Sequence, residues 1–224
     1  MKRNLLLGLG AILILALSVN AQGLAGSAHD FSSGGSGAQG AEDQLCVYCH
    51  TPHTTNAKDY LWNKPDPSNP TVWNDARHTG ATHSMSDGTS ACLSCHDGVS
   101  SIGEVVNAAT PGFNSNTDTT YTITAGGGVN SSGLITGLMS AGAGASFSDG
   151  GSASDLSRAH PVGVTYATAQ LAATAEYETS PINGIPLYGG TVACGSCHDP
   201  HSDVASFLRI ANTGSALCIS CHTK

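Results

Sequence analysis

The residues with the most chemical potential in this 224-residue chain are its eight cysteines, which occur only inside four Cys-x-x-Cys-His pentads. These are Cys46 to His50, Cys92 to His96, Cys194 to His198 and Cys218 to His222. Two thiols three residues apart can add to the two vinyl groups of a haem, and the adjacent imidazole can ligate its iron from one side. Exported chains more often spend an even number of cysteines on disulfides, and four Cys-x-x-Cys pairs could also build two all-cysteine zinc sites. Neither use requires the following histidine. With 10 histidines in 224 residues, four such placements would arise by chance in roughly four cases per million. The expectation is four covalently bound haem c groups. Cys46, Cys49, Cys92, Cys95, Cys194, Cys197, Cys218 and Cys221 attach them, and His50, His96, His198 and His222 are the proximal iron ligands. Haems are numbered 1 to 4 in that order.

The distal ligands must come from the remaining histidines: His29, His53, His78, His83, His160 and His201. The first and third pentads extend to the octet Cys-x-x-Cys-His-x-Pro-His, at 46–53 and 194–201. The order of a lone His, an octet and a pentad then occurs twice, with His29 leading the first set and His160 the second. This repeat selects His29, His53, His160 and His201 and leaves His78 and His83 without counterparts. Outside the leader, methionine is found only at Met85 and Met139, in Gly/Ser/Thr-rich surroundings. Bis-His coordination throughout is therefore expected, with low potentials, because Met/His ligation raises them. Six-coordinate iron has no open position for substrate. No catalytic residue is assigned, and an electron carrier is expected rather than an enzyme.

Sequence order also yields a ligand map. Three residues after His50, His53 leaves the same side of a helical turn and cannot reach the far face of haem 1. His201 is expected at haem 2, and His29 and His160 at haems 1 and 3. Haem 4 is then left with His53 of a neighbouring subunit. Such a head-to-tail contact does not close and would build a filament. In the simpler alternative, His53 and His201 serve haems 2 and 4 of their own chain and the protein is a monomer.

Elements must position these groups. Lys2, Arg3 and the apolar run Leu5–Val19 read as a signal peptide, 1–21, cut after Val19-Asn20-Ala21. The protein is expected outside the cytoplasm: secreted, extracellular or at the cell surface, or periplasmic. No later run is long enough to span a membrane. Residues 22–224 read as one tetrahaem domain built of two ligand repeats, 22–96 and 156–224, around a Gly/Ser/Thr-rich excursion at 97–155. With aromatic residues at 5% and 28 glycines, the polypeptide has few large side chains for a core, so stacked haems are expected to supply most of it. Without the leader, 6 basic residues face 16 acidic ones, a net −10. That excludes a basic stripe for nucleic acid and leaves redox proteins or extracellular electron acceptors as partners, besides the chain itself.

Local patterns predict one or two helical turns over Leu45–His53 and a Ser90-capped helix carrying Cys92–His96. A β-prone stretch is expected at Thr119–Thr124, strand character at Val162–Tyr166 and a helix over Leu171–Tyr177. A Ser215-capped terminal helix should carry Cys218–His222. Tyr60, Trp62 and Trp73 are candidates to cover haem faces.

At these residues the chain resembles the doubled Cys-x-x-Cys-His multihaem cytochromes, and among them the OmcE-type tetrahaem cytochromes that form extracellular nanowires. The resemblance is carried by Ser27-Ala28-His29-Asp30-Phe31, both octets, Leu61-Trp62-Asn63 and Cys92 to Gly98. It continues through His160-Pro161-Val162-Gly163-Val164 and Gly214 to His222. It implies a mostly irregular fold with short helices and a few short strands. It further implies closely stacked bis-His haems, with an axial histidine crossing the subunit interface in the filamentous members. A monomeric periplasmic tetrahaem shuttle and a multihaem reductase of nitrogen or sulfur oxyanions are the rival functions.

Overall fold

The computed structural model describes residues 23–35, 38–40, 42–51, 59–67, 87–97, 99–107, 121–124, 128–135 and 160–223. The signal segment, His53, His78, His83, Trp73 and most of the 97–155 excursion lie outside the described residues. Most of the chain has no regular secondary structure, with few short helices and little strand, consistent with an irregular multihaem cytochrome fold. Among the described residues the helices are α1 (Asp87–His96), α2 (Tyr166–Ala172) and α3 (Cys194–Cys197), with short 3-10 turns before α1 and after α3. Among the described residues, β-pairing is limited to isolated bridges such as Gly40 with Ile123 and Thr165 with Thr191. No helix among them is long and apolar enough to cross a membrane.

Several boundaries differ from expectation for local reasons. α1 begins at Asp87, so Ser90 lies inside it, buried rather than capping. α2 starts five residues before the expected helix. Its first residue, Tyr166, is buried and donates its hydroxyl to the carbonyls of Glu178 and Cys221, at 2.9 and 3.0 Å. That anchor fixes the helix start against the last pentad. Ser215 is left-handed (φ 64°), and the last pentad is led instead by Asn212, whose side-chain oxygen accepts from Leu217 N at 3.0 Å. The terminal helix is reduced to 3-10 turns at Thr213–Ser215 and Cys218–Ser220.

The polypeptide does assemble a small core of its own. Phe31, Ala38, Tyr48, Ile102, Val105, Tyr121 and Ile123 form it, with Cys49 and Cys95 packed at its edge. The described parts of the excursion thus contribute buried side chains as well as covering surface. Tyr48 is fully buried, with its ring 4.9 Å from Tyr121 and 6.0 Å from Phe31. Its hydroxyl accepts from Glu42 N at 3.0 Å. Gly40 lies so close that a Cβ there would overlap the Tyr48 hydroxyl. Truncating a fully buried aromatic ring removes its transfer free energy and leaves a cavity, so Tyr48→Ala is expected to cost about 3–5 kcal/mol. Urea unfolding of the haem-loaded protein measures it.

Two short turns carry backbone strain. Tyr60 and Leu61 have φ of 65° and 53°, and Ser206 and Phe207 have φ of 60° and 56°. L-residues pay roughly 1–2 kcal/mol each for left-handed backbone. The other consecutive left-handed pairs among the described residues, 183–184, 189–190 and 214–215, each contain a glycine.

Candidate haem sites

Each Cys-x-x-Cys segment forms about one helical turn, so its two sulfurs project from one side. In the first, third and fourth pentads the histidine N–H closes that turn on the first cysteine carbonyl. The distances are 2.8 Å for His50 to Cys46 and 3.0 Å for both His198 to Cys194 and His222 to Cys218. The second pentad ends α1 with His96. One common feature was not read from the sequence. The residue before the second cysteine is buried in all four pentads: Tyr48, Ser94, Ser196 and Ser220 are at most 1% exposed. The three serines bond inward, Ser94 to Ala91 O at 2.7 Å, Ser220 to Ala216 O at 2.8 Å, and Ser196 as acceptor from Ala193 N at 2.9 Å. Serine at this position in three of four pentads is the signal that marks it.

The sites adjoin one another. Cys194 N donates to Thr89 Oγ1 of α1 at 3.3 Å. The Cys92 and Cys194 thiols are hydrogen-bonded, which with burial pushes Cys92 well above the ordinary thiol range. Tyr188 is wedged between the two helices, against Gly88 and Gly195, where added Cβ atoms would lie 2.8 and 2.7 Å from its nearest atoms. Trp62 bridges the first two sites, its indole N–H donating to Ser94 Oγ at 3.2 Å and its ring edge-on to His50 at 5.6 Å. Burial pushes the Cys49 thiol up to about 12 and the Cys197 thiol to about 11, so both are neutral.

Three histidines outside the pentads each stand opposite a pentad histidine. Ring centres are 6.0 Å apart for His29 and His96, 6.2 Å for His50 and His201, and 6.3 Å for His160 and His222. Two imidazoles bound end-on to one metal ion at about 2 Å each have ring centres roughly 6 Å apart, so these pairs fit an iron between them. The pairing differs from the order-based map, which put His29 with haem 1, His201 with haem 2 and His160 with haem 3. Among the described residues no histidine outside the pentads is paired in this way with His198.

The protonation states also fit. Burial, then the neighbouring His201 and His198, lowers the His29 pKa. Burial, His29 and His198 lower His96 to about 4 against the opposing pull of Asp97. Both imidazoles are held neutral, the form that ligates metal. His29 Nδ1 is buried without a hydrogen-bond partner. A buried orphan nitrogen costs about 1–3 kcal/mol, a penalty that ligation of iron through this same nitrogen would remove.

Local bonds aim these rings. The Asp30 carboxylate takes the Gly26 N–H at 2.7 Å and the Ser32 hydroxyl at 2.5 Å, tying the loop that presents His29, while Phe31 enters the core. His50 and His198 each engage a backbone carbonyl through Nδ1, Tyr60 O at 2.7 Å and Ser206 O at 3.0 Å. His201 Nδ1 lies 3.1 Å from Asp199 Oδ1, whose partner oxygen takes Arg209 at 3.1 Å. Burial would raise the Asp199 carboxyl, but the His201 N–H and the Arg209 guanidinium outweigh it and hold it below the ordinary range.

No curated protein matches the chain by sequence. A family model described as the doubled CXXCH motif matches residues 186–224. That stretch holds the third and fourth pentads, and over it the chain is similar to multihaem c-type cytochromes, electron-transfer proteins that bind haem covalently through this motif and typically work outside the cytoplasm.

Proposed function

We propose that this chain is an exported tetrahaem electron carrier with bis-His iron at every haem, and that it polymerises head-to-tail into a conducting filament. The observation that carries the electron-transfer reading is the set of three facing imidazole pairs at 6.0–6.3 Å. Cys46 and Cys49 with His50 and His201 would hold haem 1. Cys92 and Cys95 with His96 and His29 would hold haem 2. Cys218 and Cys221 with His222 and His160 would hold haem 4. Bound haem iron supplies a one-electron couple. The chain's own residues fill both axial positions, keep ligand nitrogens neutral and fix ring orientation. None of these tasks is an acid/base or substrate-binding task, which favours a carrier over an oxyanion reductase.

Haem 3 would take His198 and, as its second ligand, His53 of a neighbouring subunit. Because His160 faces His222, the recipient of that histidine in this reading is haem 3, not haem 4. In the alternative reading His53 closes on haem 3 of its own chain, giving the monomeric shuttle. Negative-stain imaging of the purified haem-loaded protein separates the two. Filaments support the proposal, and globular particles alone reject it.

A further inference from the structure

The two octets share a device that the haem assignment does not require. After each, the chain returns antiparallel to the pentad, with bridges between His50 and Trp62 and between His198 and Leu208. The hydrogen bonds correspond one for one. Thr51 N donates to Leu61 O at 2.9 Å and Asp199 N to Phe207 O at 2.8 Å. Asn63 N donates to Cys49 O at 2.8 Å and Arg209 N to Cys197 O at 2.9 Å. At the start of both returning segments stands a left-handed pair built without glycine, Tyr60-Leu61 and Ser206-Phe207. The first carbonyl of each pair meets the proximal imidazole Nδ1. The intervening loops differ in length by two residues, yet the pair and its carbonyl fall in the same place. A loop that only reversed direction would use glycine there, as the other left-handed pairs do.

We propose that Tyr60-Leu61 and Ser206-Phe207 are ligand-positioning latches. Each fixes its proximal histidine with Nδ1–H donated to a carbonyl and Nε2 facing the iron, and thereby lowers the reduction potential of haems 1 and 3. The proposal rests on the haem reading above. The direction follows from electron supply. An imidazole that donates its N–H to a carbonyl is a stronger base and a better donor to ferric iron, so oxidised haem is favoured. Among the described residues neither His96, which ends α1, nor His222 has a ring nitrogen that meets such a carbonyl.

The test replaces Ser206. Proline cannot adopt the positive φ, so Ser206→Pro breaks the turn, whereas Ser206→Gly keeps its conformation and its carbonyl. Redox titration followed by NMR tracks each haem separately. In Ser206→Pro, the potential of haem 3 should shift upward while the other three stay in place, and Ser206→Gly should retain the wild-type value. Unchanged potentials in Ser206→Pro, or equal shifts in both variants, overturn the latch. Pyridine haemochrome analysis of the wild-type protein tests the underlying reading separately, since fewer than four haems per chain would defeat that reading itself. If Ser206→Pro accumulates without haem, the reduced wild-type protein labelled with 15N-histidine decides the matter. Downfield, hydrogen-bonded Nδ1 protons at His50 and His198, shifted beyond those of His96 and His222, support the latch; their absence rejects it.

Discussion

Replacing His201 by alanine is expected to open one iron of the four to carbon monoxide, and that iron is haem 1. On the proposed bis-His ligation every axial position of the wild-type protein is filled, and it should bind none. His201 lies opposite His50 with rings near parallel, 22° apart at 6.2 Å. Its orientation is set by Asp199 and Arg209. A change from none to about one carbon monoxide per chain is an all-or-none effect at a single site. The identity of the open haem is testable by removing its attachment as well. With Cys46, Cys49 and His201 all replaced by alanine, the remaining haems should be three and all closed. If His201 served haem 2, as sequence order implied, the triple variant would still bind carbon monoxide.

Replacing His53 by alanine is the second large effect. In the proposed filament, His53 supplies an iron ligand across the subunit boundary, and losing it should abolish polymerisation while four haems remain attached. Loss of one coordinate bond per contact acts on every interface at once, because head-to-tail assembly repeats a single contact. Three outcomes are separable. Globular particles with one iron open to carbon monoxide match the proposal. Filaments that persist with one open iron place His53 within its own chain. Filaments that persist with every iron closed remove His53 from the ligand set.

How legible these sites were depends on the range over which each feature is encoded. Covalent attachment needs cysteines and a histidine at fixed local spacing, so the sequence displays it directly. Distal ligation is a tertiary property, and the proposed pairing departs for that reason from the assumption that a leading histidine serves the haem after it. His29 is carried past the first octet by a loop tied through Asp30, and it meets His96 instead. His160 similarly passes the third pentad to face His222. The excursion looked like plain surface because its apolar residues are sparse among Gly, Ser and Thr. Ile102, Val105, Tyr121 and Ile123 nonetheless converge on Tyr48 and Phe31. The latch turns were invisible for the opposite reason, since glycine would have announced a left-handed pair and Tyr, Leu, Ser and Phe do not.

The irregular fold follows from the same division of labour. Pentads need only one helical turn each, and ring orientation is set by carbonyls and a carboxylate rather than by long elements. Trp62 then ties the first two sites through one side-chain bond, Tyr188 packs between the second and third, and Tyr166 anchors α2 to the fourth.

The most direct test of the account is low-temperature electron paramagnetic resonance of the fully oxidised, haem-loaded protein. Bis-His ligation at all four haems predicts low-spin ferric signals only. It further predicts two kinds: a rhombic signal from the near-parallel His50–His201 pair, and strongly anisotropic signals from the near-perpendicular His29–His96 and His160–His222 pairs, whose rings are 79° and 70° apart. A stoichiometric high-spin ferric signal in the intact protein would contradict the account, because it would reveal an iron with an open position.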